Sequence, residues 1–111
     1  MLANAGHVTP YLNGEPVPME GALPVGMREH AEFSIMQFQL EEKDSLVLTS
    51  DGIAEATDAT GRLFGFERVR DLLLTSRTAA EVADTAQKFG QVDDISVITL
   101  TRIAIAQATI A

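Results

Sequence analysis

The stretch "SLVLTSDG" (Ser45 to Gly52) constrains the fold more than any other part of the chain. Leu46, Val47 and Leu48 form a continuous apolar run, which reads as a strand buried on both faces rather than one half in water. Such a strand requires cover above and below. Its far end is an aspartate, Asp51, and Gly52 directly after it lets the backbone turn sharply with no Cβ in the way. A carboxylate in mid-sheet is costly to desolvate, whereas one at a strand's end can face a cleft. Strand ends and the loops beyond them are also where folds tend to mount their chemistry.

The remaining segments supply the partners of that strand. "LANAGHVTPYL", Asn13-Gly14 and "EPVPME" read as a hairpin, because Asn-Gly tolerates the positive φ angles of a type I′ turn. Pro10, Pro16 and Pro18 cannot all serve a ladder, so at least one arm belongs at a sheet edge. "GALPVGM" (Gly21 to Met27) is a loop by its punctuation. In Glu32 to Leu40, alternation predicts a strand with Met36, Phe38 and Leu40 on one face and Gln37 and Gln39 on the other. Phe66, Val69, Leu72 and Leu73 form the apolar stripe of a first helix. A second opens with the capping box Thr78-Ala-Ala-Glu81, runs through Val82, Ala86 and Phe89, and stops at Gly90. Asp93 to Ile103 is a closing strand rich in β-branched residues. Strands first, then helices, then a strand predicts an α+β layered fold with a two-helix layer on one sheet face. The other face has no obvious cover.

With 111 residues and 46% hydrophobic content, the chain is sized for one modest globular core. Its net charge of −8, from 16 acidic and 8 basic residues, argues against nucleic acid as a partner and leaves carboxylates to spare for cations. The absence of cysteine excludes disulfides and thiolate metal sites, and makes a cytoplasmic setting the expectation. The start "MLANAGHVTP" lacks the features of a signal peptide. "IAIAQATIA" (Ile103 to Ala111) is apolar but far short of the roughly 20 residues that span a bilayer, so no membrane partner is expected.

Asp51 closes one core strand and Asp93 opens another. If those strands are antiparallel neighbours, the two carboxylates converge at one sheet edge. Close carboxylates repel unless a cation sits between them. All-oxygen donors suit Mg²⁺ or Mn²⁺, whereas zinc recruits Cys or His. An EF-hand is excluded, because Asp51-Gly-Ile-Ala lacks the Asp or Asn needed at the third position.

"NAGH" (Asn4 to His7), "SDGIAEA" (Ser50 to Ala56) and "QVDDISVITL" (Gln91 to Leu100), in that order, resemble the metal-dependent PPM phosphatases, in their bacterial SpoIIE-like branch. "GALPVGM" and "GRLFGFERV" resemble two further segments of that branch. The resemblance implies a PPM-type α-β-β-α sandwich of mainly antiparallel strands, with two Mn²⁺ or Mg²⁺ ions at one end. It implies that Asp51 and Asp93 are metal ligands, supported by Gly52 and Asp94, the latter standing where some relatives carry Asn. It further implies a protein-serine/threonine phosphatase using a metal-activated water on phosphoserine in regulators of sigma factors, a substrate of the anti-sigma-factor antagonist type. The match covers the C-terminal half of such a domain, so residues 1–111 are expected to be a partial domain without the N-terminal half that supplies the bridging aspartate. An uncovered sheet face, and self-association through it, are expected on the same ground. The alternatives are an inactive fragment acting as an interaction module, and an unrelated acidic cation-binding domain.

Simpler roles exist for several of these residues. Asp51, Asp93 and Asp94 could each be turn residues. Ser50 lacks a nucleophile elbow and reads as a turn-stabilising hydroxyl. His7 reads as a hydrogen-bonded structural histidine. Glu55 could lie near the metals, although capping a helix start is the simpler account.

Overall fold

The computed structural model describes residues 1–30, 32–75 and 78–104. Along these run β1 (Leu2–Asn4), β2 (Tyr11–Leu12), β3 (Glu15–Pro16), β4 (Ser34–Met36), β5 (Ser45–Thr49), α1 (Gly65–Thr75), α2 (Ala79–Gly90) and β6 (Val97–Thr101). The main sheet has the order β3-β2-β5-β6 and is antiparallel throughout, while β1 and β4 form a separate antiparallel pair. The β5–β6 register runs from Ser45 opposite Thr101 to Thr49 opposite Val97. Alternation then puts Val47, Thr49, Val97 and Thr99 on one face, and Leu46, Leu48, Ile98 and Leu100 on the other.

The helices cover the Val47 face. Tyr11, Val47, Ile53, Ala54, Ala56, Phe64, Val69, Leu73, Val82 and Ala86 form one buried cluster, with Leu72, Phe89, Ile95 and Val97 packed against it. α2 begins as its capping box predicts, the Thr78 hydroxyl accepting a hydrogen bond from the Glu81 amide at 3.1 Å. Phe66 departs from the expected stripe and is 62% exposed. The aromatic place beside Phe89 is taken instead by Phe64, just before α1, whose ring meets Phe89 edge-on with centroids 5.1 Å apart. That geometry adds about 0.5–1.5 kcal/mol to plain burial.

Among the described residues the opposite face is covered only in part: Leu46 is buried, whereas Ile98 is 58% and Leu100 50% exposed. The apolar segment Ile103 to Ala111 lies outside the described residues from position 105 onward.

Three strands differ from expectation. The first hairpin arm is broken, because Asn4 folds back on the next residues: its side chain accepts from the His7 amide at 2.7 Å and donates to the His7 carbonyl at 3.0 Å. The chain thereby leaves β1 and enters the main sheet only at Tyr11. The turn itself is as expected, with φ of 51° at Asn13 and 83° at Gly14. β3, which carries Pro16, is an edge strand. β4 is limited to Ser34–Met36 because β1 offers it three partners, although Met36, Phe38 and Leu40 stay half-buried and Gln37 and Gln39 exposed. β6 starts at Val97, the chain bending at Asp93 and joining the ladder only after Ser96.

Between Glu55 and Gly65 the chain doubles back, bridging Thr57 to Leu63. Asp58 organises this turn by accepting from the Thr60 amide and hydroxyl and from the Arg62 amide. The Thr60 hydroxyl, foremost, holds the Asp58 carboxyl down at about 2, from an ordinary 3.8. A depressed carboxylate stabilises the fold fully above its ordinary value and loses that contribution as pH falls through the folded value. Thermal melts should therefore decline between about pH 4 and pH 2, and Asp58→Asn should flatten that part of the profile. In the core, Ile53→Ala, at a fully buried position, should cost about 2–5 kcal/mol in urea unfolding. Phe66→Ala should change stability by no more than about 0.5 kcal/mol.

Candidate metal centre

The site is built where β5 ends and β6 begins. Antiparallel pairing brings the end of one strand to the start of the other, and Ser50 then fastens the two together. Its amide donates to the Ser96 carbonyl at 2.9 Å. Its hydroxyl accepts from the Ser96 amide at 2.9 Å and donates to the Asp94 carbonyl at 3.2 Å. The Ser50 hydroxyl is thus committed to structure on both sides, as its sequence context indicated.

Gly52 determines how close the two segments come. A Cβ there would collide with the Asp94 carbonyl oxygen and would sit 3.4 Å from that of Asp93. Only glycine permits this approach of one backbone to the other. Asp94 meets the site through its backbone, and its carboxylate is outside the converging group described next.

Beyond Gly52 the chain makes one helical turn, closed by the Glu55 amide donating to the Asp51 carbonyl at 3.0 Å. Ile53, Ala54 and Ala56 are buried in the core, so the turn is anchored by its apolar side. Asp51 and Glu55, four residues apart on a helical turn, stand on the same outward side. The result is a group of three: carboxylate oxygens of Asp51, Glu55 and Asp93 lie within 4.8 Å of one another, all on exposed residues. One Asp93 oxygen also accepts from the Asp94 amide at 2.8 Å, which fixes its orientation.

Asp51 and Asp93 therefore share one sheet end, as strand polarity predicted. Glu55, for which the sequence offered a place near the metals and, more simply, a helix cap, is the third member. No helix starts at Glu55, since α1 begins at Gly65, so the capping account is set aside. The usable signal was the spacing Asp51-x-x-x-Glu55 after a strand, which aligns two side chains once the intervening turn is helical. His7 is not among the three; its Nδ1 lies 2.9 Å from the Val8 carbonyl oxygen, a structural role.

The donor chemistry fits a hard divalent cation. All three donors are carboxylate oxygens, the type preferred by Mg²⁺ and Mn²⁺. The ion pairs among the described residues are Arg62–Asp58, Arg70–Glu15 and Lys88–Asp84, none of which touches the group. Its negative charge is left to solvent or to a cation.

This α+β arrangement of antiparallel strands and two helices is that of a partial PPM phosphatase domain. The family model for Stage II sporulation protein E (SpoIIE) matches residues 1–103, and the chain belongs to that family. Among solved structures, the fold is similar to the phosphatase domain of the cell fate determinant SpoIIE from Bacillus subtilis, in a form presoaked with Mn. The TM-score is 0.61 at 19% sequence identity, over 94% of this chain and 50% of that one. The chain thus spans about half the length of the solved domain, and at this identity the likeness is one of fold. No curated protein matches the chain.

Gly52→Ala should push the Asp93–Asp94 backbone away from the Asp51 turn. We expect a loss of about 1–3 kcal/mol in urea unfolding, with amide NMR shifts concentrated at residues 50–55 and 93–96.

Proposed function

We propose that the chain is the C-terminal half of a SpoIIE-like PPM domain, a protein-serine/threonine phosphatase acting on phosphoserine in a regulatory protein of the anti-sigma-factor antagonist type. The observation that carries this reading is the convergence of Asp51 and Asp93 at one sheet end, within a chain of the SpoIIE family. Those two residues would hold Mn²⁺ or Mg²⁺. When bound, such ions supply a water deprotonated near neutral pH and neutralise the charge that develops on the phosphoryl oxygens.

The chain's own residues have definable tasks in this scheme. Ser50 and Gly52 fix the separation of the two strand ends, and with it that of the carboxylates. The Asp94 amide orients Asp93. The exposed mouth suits a phosphoserine presented on a protein surface, because no wall need open to admit the backbone that carries it. The chemistry needs no protein nucleophile, consistent with a cysteine-free chain and a Ser50 hydroxyl already engaged.

A second reading, a catalytically inactive interaction module, draws on the uncovered Ile98–Leu100 face. The two readings separate on activity. Each hard cation takes about six oxygen ligands, more than these residues provide for two ions. Phosphate release from a phosphoserine peptide with Mn²⁺ should therefore be low for the 111-residue chain. Fusing it to the N-terminal half of a SpoIIE-family phosphatase domain should restore turnover, and Asp51→Asn or Asp93→Asn should then abolish it. Full activity of the chain alone would overturn the half-domain reading, and a fusion indifferent to both substitutions would overturn the site.

A further inference from the structure

We infer that the free edge of β6 is a self-association surface, on which a second copy of this chain adds its own β6 antiparallel across a two-fold axis at Thr99. The inference stands apart from the phosphatase reading, because it uses backbone groups that the carboxylate site does not.

β6 ends the main sheet on one side and β3 ends it on the other. The two edges differ in their chemistry. β3 consists of Glu15 and Pro16, a charge and a proline, the devices that keep an edge from pairing further. β6 runs from Val97 to Thr101 with no charge and no proline, in unbroken register with β5. That register decides which of its backbone groups are left over. The Ser96 carbonyl accepts from the Ser50 amide at 2.9 Å, and the Arg102 amide donates to the Asp44 carbonyl at 3.1 Å. Residues of an antiparallel ladder alternate in this respect, so Ile98 and Leu100 also bond toward β5. Val97, Thr99 and Thr101 then turn their amides and carbonyls outward, and among the described residues no strand takes them up.

A second β6 fits this edge because the strand is complementary to itself in the register that the outward groups permit. With Thr99 opposite the second copy's Thr99, Val97 falls opposite its Thr101, and every outward amide and carbonyl finds a partner. The same register sets Ile98 opposite the second copy's Leu100 on the other face. These two side chains are 58% and 50% exposed in one chain, and across the seam each shields the other from water. Charge does not oppose the pairing. Arg102 falls opposite the second copy's Ser96 and Asp94 opposite its Ala104, so no like charges meet. A seam this short is smaller than the interface of an obligate dimer, and the association is weak and reversible.

The test is sedimentation equilibrium of the 111-residue chain at micromolar to millimolar concentration. The wild-type mass should rise with concentration from that of one chain toward that of two. Thr99→Pro removes the outward amide at the centre of the seam while sparing the bonds to β5, and should weaken association by about 10-fold or more. Ile98→Lys sets a charge against the second copy's Leu100 and should weaken it to a similar extent. Ile35→Lys, at a 61% exposed position of β4, removes apolar surface away from the seam and should leave association unchanged. Circular dichroism melts establish that each variant is folded. Because the chain has no cysteine, Thr99→Cys supplies a second measurement that does not rely on proline. Under mild oxidation it should link two copies at the two-fold axis, much faster than Ile98→Cys, whose partner thiol lies two residues out of register. A chain that stays monomeric throughout overturns the inference, and one that associates only with an added N-terminal half of a SpoIIE-family domain gives the edge to that half instead. A dimer that neither Thr99→Pro nor Ile98→Lys weakens, or equal linking by the two cysteine variants, overturns it as well.

Discussion

The β5–β6 ladder is the interaction on which the rest of the molecule depends. Its five pairs, from Ser45–Thr101 to Thr49–Val97, join a strand in mid-chain to one near its end. Everything between them, the carboxylate turn, the doubled-back loop and both helices, is a single excursion that leaves the sheet and returns. Closing so long a loop is entropically unfavourable, though only slowly more so with length. The ladder's own bonds do not offset that cost in water, where their net worth is small. The burial of Val47 and Ile53 against Val69, Val82 and Ala86 does, so the helix layer and the ladder each require the other.

The same ladder divides the molecule into unequal faces. On the helix side, the inward residues of β5 find a packed core. On the other, Ile98 and Leu100 lie opposite Leu48 and Leu46 with more than token exposure. A sheet stabilised from one side only is a common solution when its second face is polar. Here the second face is apolar, which is the pattern of an inner layer rather than an outer one. A chain spanning half of a solved domain with the same fold gives that pattern a physical rationale.

How much of this was legible in the sequence depended on whether a residue's fate was decided locally. The Asn13-Gly14 turn, the Thr78 cap and the depth of Val47 follow from backbone sterics and local patterning, and each appears where the sequence puts it. Phe66 failed because helical periodicity reports which residues share a stripe, while the stripe's end is set by what lies beneath. Phe64 lay outside the periodic window, yet took the place beside Phe89. The broken first arm failed for a related reason. The Asn4 side chain competes with the ladder for the local backbone, bonding the His7 amide and carbonyl. At the site, the meeting of Asp51 and Asp93 needed only strand direction. Glu55 needed knowledge that the residues after Gly52 form a helical turn, and a glycine there argues equally for a plain reversal.

That turn also shows how stability and charge are balanced at this end of the sheet. Concentrating three carboxylates disfavours the folded state, since the unfolded chain holds them farther apart. The cost is kept tolerable by exposure, because water screens charges that a buried site would leave at full strength. Exposure would ordinarily leave side chains free to swing apart, which would erase the convergence. The fold fixes the backbone that carries them: Ile53 and Ala56 pin the turn from inside, Gly52 accepts the Asp94 carbonyl against its backbone, and the Ser50 hydroxyl bridges the strand ends. The charged side of the site is open and its apolar side closed. A cluster held in that way has its positioning supplied by the core and is left free, on the solvent side, to interact with a cation.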